Sequence, residues 1–368
     1  MTIFKSIFLI ASLATLIGFS SCSTKFEPIS QVDISSIAIA DPSQAMVELI
    51  QLNGDYINAK GSPYLLDVSD VYLYKSQYLL LDLRSVSDYE SGHIDGAIRV
   101  ERSNLLDYLK KNNPETYEKV ILIDNTGFES AYAASILRAV GYSQVYPLKN
   151  GMAVWNKQFA SNWTNALSNK YSNQLETTNN SSGKKRKLPE IKTSATTAVG
   201  VLEEQATRAL KEDFMVNIDD VMNDPSAYYL INYWPKDLYQ AGHLKGAIWF
   251  NPKTSLKLDA DLANINPAKK IAVYCYTGLT ASAMVGYLRL LGYDAYNIGY
   301  GANGFMYNTL KTKKWHAFDI AEKGNDYPLT KGSKPSEKKA ITTNSVAVAA
   351  PAAPITRTKK ATGGGGCD

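Results

Sequence analysis

An internal repeat constrains this chain more than any other feature. Leu80-Leu81-Asp82-Leu83-Arg84 leads to Asp88-Tyr89-Glu90-Ser91-Gly92-His93-Ile94-Asp95-Gly96-Ala97-Ile98. Later, Tyr229-Leu230-Ile231-Asn232 leads to Leu238-Tyr239-Gln240-Ala241-Gly242-His243-Leu244-Lys245-Gly246-Ala247-Ile248. Each copy continues with a polar stretch, an apolar run (Val120 to Ile123; Ile271 to Tyr274), a Thr-Gly loop and a segment of helical period. The helices close on matching words, Leu137-Arg138 with Gly141-Tyr142 and Leu288-Arg289 with Gly292-Tyr293. Near-continuous apolar strands alternating with helices fit a parallel sheet covered on both faces. The expected fold is α/β, with two tandem domains, each a parallel sheet flanked by helices.

The copies differ at one position that matters. Lys270-Ile271-Ala272-Val273-Tyr274 runs into Cys275, and Tyr276-Thr277-Gly278-Leu279-Thr280-Ala281-Ser282 opens a helix in which Met284, Tyr287, Leu288 and Leu291 share one face. A thiol at a strand end, facing a helix N-terminus, meets loop amides and a positive dipole end that favour the thiolate. Counting back from Gly127 and Gly278, the first copy has Asp124 at the place of Cys275.

The Gly-His-hydrophobic-x-Gly-Ala signature, the strand before it and the Cys-x-x-Gly-x-Thr loop resemble the rhodanese (thiosulfate sulfurtransferase) family. The likeness is to its tandem form, with a silent first domain and a cysteine-bearing second one. It covers roughly residues 65 to 160 and 213 to 310. The resemblance implies a sulfurtransferase that carries sulfane sulfur as a persulfide on Cys275. Tyr276, Thr277, Gly278, Leu279, Thr280 and Ala281 would form the persulfide-binding loop, with hydroxyls of Thr277, Thr280 and Ser282 as further donors. The partners implied are a small sulfur donor and a thiol acceptor, with no cofactor. The same fold hosts phosphatases whose loop ends in arginine. Here no arginine follows Cys275 until Arg289, so a phosphate dianion would lack a guanidinium. The loop also has no lysine or arginine, which disfavours the thiosulfate dianion as donor. A non-catalytic binding or redox-sensing module is the alternative.

Other candidates read as structural. His93 and His243 recur in both copies, including the one without a thiol, so backbone contacts explain them better than catalysis. His316 stands alone, expected at the surface, and no Cys/His spacing supports a metal site. Asp124 cannot carry a persulfide, and Glu129 reads as a first-turn acid favoured by the helix dipole. Asp82 and Arg84 become Asn232 and Trp234 in the second copy. The reading adopted is a lost structural ion pair; the alternative is an apolar wall at the pocket mouth.

The chain opens with Lys5, an apolar run from Ile7 to Phe19 and Ser20-Ser21-Cys22. That run is short for a membrane span. A cysteine after small residues resembles a bacterial lipobox. This implies residues 1–22 as a signal peptide, lipid on Cys22, export, and anchoring to a membrane of the cell envelope. The expected boundaries are 40–165 and 197–318 for the domains, 166–196 for an unstructured linker and 319–368 for a flexible tail. The linker contains Lys184-Lys185-Arg186-Lys187, read as a solvated charge run. The tail ends Gly363-Gly364-Gly365-Gly366-Cys367-Asp368, where Cys367 is a candidate sulfur relay; the alternatives are a processing or attachment signal and a disordered end. A net charge of +4 over 368 residues is too weak to imply nucleic acid.

Overall fold

The computed structural model describes residues 41–333. The first lobe is built on strands β1 (Tyr78–Asp82), β2 (Ile98–Arg99), β3 (Lys119–Ile123) and β4 (Val145–Pro147), all parallel in the order β2-β1-β3-β4. A short antiparallel pair joins β5 (Leu175–Glu176) to β8 (His243–Leu244). The second lobe has β6 (Met215–Val216), β7 (Tyr228–Tyr233), β9 (Ile248–Phe250), β10 (Lys270–Tyr274) and β11 (Ala295–Ile298), parallel in the order β6-β11-β10-β7-β9. The registers repeat: Leu81 pairs with Leu122 in the first lobe, and Ile231 pairs with Val273 in the second. The central strands are buried along their length, which is why they read as unbroken apolar runs rather than alternating ones.

The two lobes share one hydrophobic core. The helix Phe128–Ala139 packs on the helix Leu279–Leu290, and both are buried almost all round. They meet closely because Gly286 faces the Tyr132 carbonyl, where a Cβ would lie only 2.7 Å away. Ser135 Oγ donates to the Ala283 carbonyl at 2.7 Å, so a buried hydroxyl at the crossing is satisfied. Tyr132 donates to the Ala209 carbonyl at 2.7 Å and stacks on Phe214. Each large side chain buried here stabilises the pair by roughly 1.5–3 kcal/mol.

Two expectations need correction. Apart from β5 the linker is irregular, as its composition suggested, but it is laid down on the second lobe. Glu176 accepts from Gly246 N–H, Asn180 N–H donates to the Tyr239 hydroxyl, Arg186 binds the carbonyls of Ala263 and Asn264, and Ile191 is buried. Within the charge run, Lys184, Lys185 and Lys187 are exposed and Arg186 is not. The tail expected from 319 is also not free at its start. Residues 319–330 return to the first lobe, where Tyr327 stacks on Tyr72 and Thr330 exchanges backbone hydrogen bonds with His93. Aromatic contact, with the half-buried Tyr327 set against Tyr72 and the buried Trp155, holds this segment despite its polar composition.

Candidate active site

Both Thr-Gly loops stand at the carboxyl ends of central strands, where ligands of parallel sheets gather. Gly127 and Gly278 start the following helices at φ +92° and +90°, a conformation that residues with a Cβ rarely adopt. The loops buttress each other. A Cβ on Gly127 would lie 2.6 Å from Leu279, and one on Gly278 would lie 3.3 Å from Phe128. Behind them, Gly151 and Gly301 (φ +63° and +52°) lie flat against the loop backbones. Ala302 N–H donates to the Cys275 carbonyl at 2.9 Å, and Asn303 fixes the Tyr276 carbonyl through N–H and Nδ2.

In the first lobe the loop cradles an anion that the chain itself supplies. The Asp124 carboxylate accepts from the N–H groups of Thr126, Gly127 (2.9 Å) and Glu129, and from Ser130 Oγ at 2.7 Å. Burial pushes the Asp124 carboxyl above its usual range, and these donors oppose that rise. Above it lies a cleft of about 410 Å³, walled by Leu83, Arg84, Arg102, Thr126 and Glu129 of the first lobe and Phe214 of the second. Glu129 does more than complement a helix dipole. Burial, with the charge of Asp124, lifts it to about 7, and Arg102, 3.7 Å away, only partly offsets this. Arg102 also grips the second lobe through the carbonyls of Leu210 and Glu212.

In the second lobe Cys275 occupies the Asp124 position, and Sγ accepts from Gly278 N–H at 3.1 Å. The thiol is 1% exposed. The Cys275 loop takes the same turn into its helix as the Asp124 loop, and the cleft of about 410 Å³ lies over Asp124. By register, Thr277, Gly278 and Thr280 carry the three N–H groups that bind the carboxylate in the first lobe. Ala281 replaces the Ser130 donor. Two of the expected hydroxyls act as acceptors here. Ser282 Oγ accepts from Asn297 at 2.9 Å, and Thr277 Oγ1 accepts from Leu279 N–H at 3.4 Å.

The changed pair is more than a lost ion pair. In the first lobe Arg84 binds Asp82 at 2.6 Å and the Gly92 carbonyl at 2.9 Å, fully buried. In the second, Trp234 is buried and stacks on Tyr276, with ring centroids 4.8 Å apart. The reading that treated Asn232 and Trp234 as mere loss missed this contact, because no local pattern links Trp234 to Tyr276. His316 is exposed as expected, and its ring lies 4.9 Å from that of Tyr276. His93 and His243 are buried structural groups. Each ring bonds the carbonyl four residues back through Nδ1 (2.9 and 2.7 Å) and stacks on Tyr89 or Tyr239. Among the described residues no cluster of His, Cys, Asp or Glu is placed to hold a metal ion, and no helix is long and apolar enough to cross a membrane. Cys22 and Cys367 lie outside the described residues.

Paired α/β lobes, each with a strand-end loop wrapped around a carboxylate or a thiol, define a two-domain α/β protein. The Rhodanese-like domain family model matches residues 68–158 and 206–307, and the chain belongs to that family. It is 35% identical over 86 residues to the uncharacterized protein YibN of Escherichia coli K12, covering 22% of this chain and 57% of that one. The chain thus spans just over half the length of that relative. It is 31% identical over 81 residues to the thiosulfate sulfurtransferase GlpE of Pseudomonas fluorescens, covering 22% of this chain and 72% of that one. A solved thiosulfate sulfurtransferase from Pseudomonas aeruginosa aligns at a TM-score of 0.27 and 18% identity, over 78% of this chain and 49% of the other.

Proposed function

We propose that the protein is a sulfurtransferase in which Cys275 carries sulfane sulfur as a persulfide. The observation that carries this reading is the first-lobe loop. A carboxylate oxygen of Asp124 lies two bonds beyond Cβ, as the outer sulfur of a cysteine persulfide does. Three loop N–H groups converge on that carboxylate. With Cys275 in the same loop, the same N–H groups face the outer sulfur anion. In loading, the Cys275 thiolate attacks the sulfane sulfur of R–S–SH. The bond between the two donor sulfurs breaks, R–S⁻ leaves, and Cys275–S–SH forms. In discharge, an acceptor thiolate attacks the outer sulfur and the Cys275 thiolate departs, so no external oxidant or reductant is consumed.

The second reading, a non-catalytic or redox-sensing module, draws on the near-complete burial of Cys275. One experiment separates them. Incubation with a persulfide donor adds about 32 Da at Cys275, and transfer to a thiol follows. Cys275→Ser abolishes both, whereas Asp124→Asn retains transfer because it removes no sulfur-bearing group. Full activity in the serine variant overturns the assignment. We further propose that the mature protein is exported and tethered to a bacterial envelope membrane through lipid on Cys22.

A further inference from the structure

We propose that Trp234 and Tyr276 make the Cys275 site selective for sulfur donors of low charge, such as alkyl persulfides, over the thiosulfate dianion. This deepens the sulfur-transfer reading and rests on it. The two lobes share one register, so the lining of the open cleft over Asp124 identifies the residues that hold the corresponding places around Cys275. Arg84, Arg102, Asn125 and Glu129 wall the first-lobe cleft. Their counterparts are Trp234, Pro252, Tyr276 and Thr280. Three of these places have lost a charge, and two now hold large rings. Trp234 and Tyr276 are both buried, stacked with an interplanar angle of 24°. The stack is braced from three sides. Trp249 Nε1 donates to the Trp234 carbonyl at 2.9 Å, Asn303 Nδ2 holds the Tyr276 carbonyl at 2.8 Å, and the His316 ring lies against Tyr276.

At the places of Arg84 and Arg102, a donor approaching Cys275 would meet Trp234 and Pro252, which carry no charge. Thiosulfate must shed the hydration of two negative charges there without a cation to replace it, and that desolvation is costly. An alkyl persulfide brings at most one charge and an apolar body that the rings can contact. Both loading reactions balance. Thiosulfate gives Cys275–S–S⁻ and releases sulfite, SO₃²⁻, while R–S–SH gives Cys275–S–SH and R–S⁻. Only the charge carried through the mouth differs. Two lysines flank these places: Lys253, at the place of Ser103, which lines a recess beyond the first-lobe cleft, and Lys236, at the place of Val86, whose Nζ lies 5.1 Å from the centroid of the Trp249 ring.

The test is the single-turnover rate of persulfide formation on Cys275, read by intact mass, with thiosulfate and with an alkyl persulfide released from a masked precursor. Wild type is expected to load from the persulfide at least about tenfold faster at equal concentration. Trp234→Arg is expected to narrow that ratio about tenfold through a gain with thiosulfate. Thr280→Lys is the second variant, at the place that Glu129 holds in the first lobe; Thr280 is itself buried, so urea unfolding accompanies the measurement. Trp234→Phe keeps a ring and should keep the preference. Lys253→Ala should leave the ratio unchanged. A variant that merely loosens the fold slows both donors together, so a ratio that fails to narrow in both cationic variants overturns the inference. Equal loading of wild type by the two donors also overturns it, while leaving sulfur transfer intact. Failure of Cys275 to load from either donor overturns the sulfur-transfer reading itself.

Discussion

Glu129 offers a prediction that tests the electrostatics of the lobe interface without reference to sulfur. Its carboxyl stands at about 7 against an ordinary 4.5, chiefly through burial and then through Asp124 and Asp82, with Arg102 pulling the other way. Asp213 also borders the cleft, on the second-lobe side. A folded-state value above the unfolded one means that the native protein binds more protons between pH 4.5 and 7. Stability contributed by the protonated form is therefore complete below pH 4.5 and is lost as pH rises to 7. The full displacement corresponds to about 3.4 kcal/mol at 1.36 kcal/mol per pH unit. A third of the side chain meets solvent, which screens the penalty, so about 1–2 kcal/mol is expected. Glu129→Gln resembles the protonated acid at every pH. It should match wild type near pH 4.5 and exceed it by about 1–2 kcal/mol at pH 8, roughly 2–6 °C in Tm. Urea unfolding at both pH values measures this. A variant less stable than wild type at pH 8 would mean that the ion pair with Arg102 outweighs burial, and the argument would fail.

The remaining expectations concern the loop support and the N-terminus. Gly301→Ala would set a Cβ 2.2 Å from the Cys275 carbonyl at φ +52°; a loss of about 3 kcal/mol or more in urea unfolding is expected, together with slower sulfur loading, and wild-type stability would refute the close approach. Palmitate labelling should appear on the wild-type protein in its bacterial host and vanish in Cys22→Ala; labelling that survives the substitution would exclude Cys22 as the anchor.

Much of this architecture was legible because repetition restricts it so strongly. Two copies of the Gly-His turn and the Thr-Gly loop established two parallel-sheet lobes. Counting from Gly127 and Gly278 aligned Asp124 with Cys275 before any coordinates. What stayed hidden was long-range. The reciprocal packing of Gly127 on Leu279 and Gly278 on Phe128 joins residues of different lobes. Sequence spacing carries no trace of that contact. The Trp234–Tyr276 stack escaped for the same reason, since it joins the ends of β7 and β10, 42 positions apart. The linker and the segment 319–330 were misjudged because composition reports what a segment can bury alone, not what a neighbouring lobe offers it. Ile191 and Tyr327 each find apolar surface that the rest of the chain supplies. Glu129 shows the limit in electrostatics. A first-turn acid is favoured by the helix dipole when solvated, but this one shares its half-buried cleft with Asp124, and the fold alone reverses the sign of the expectation.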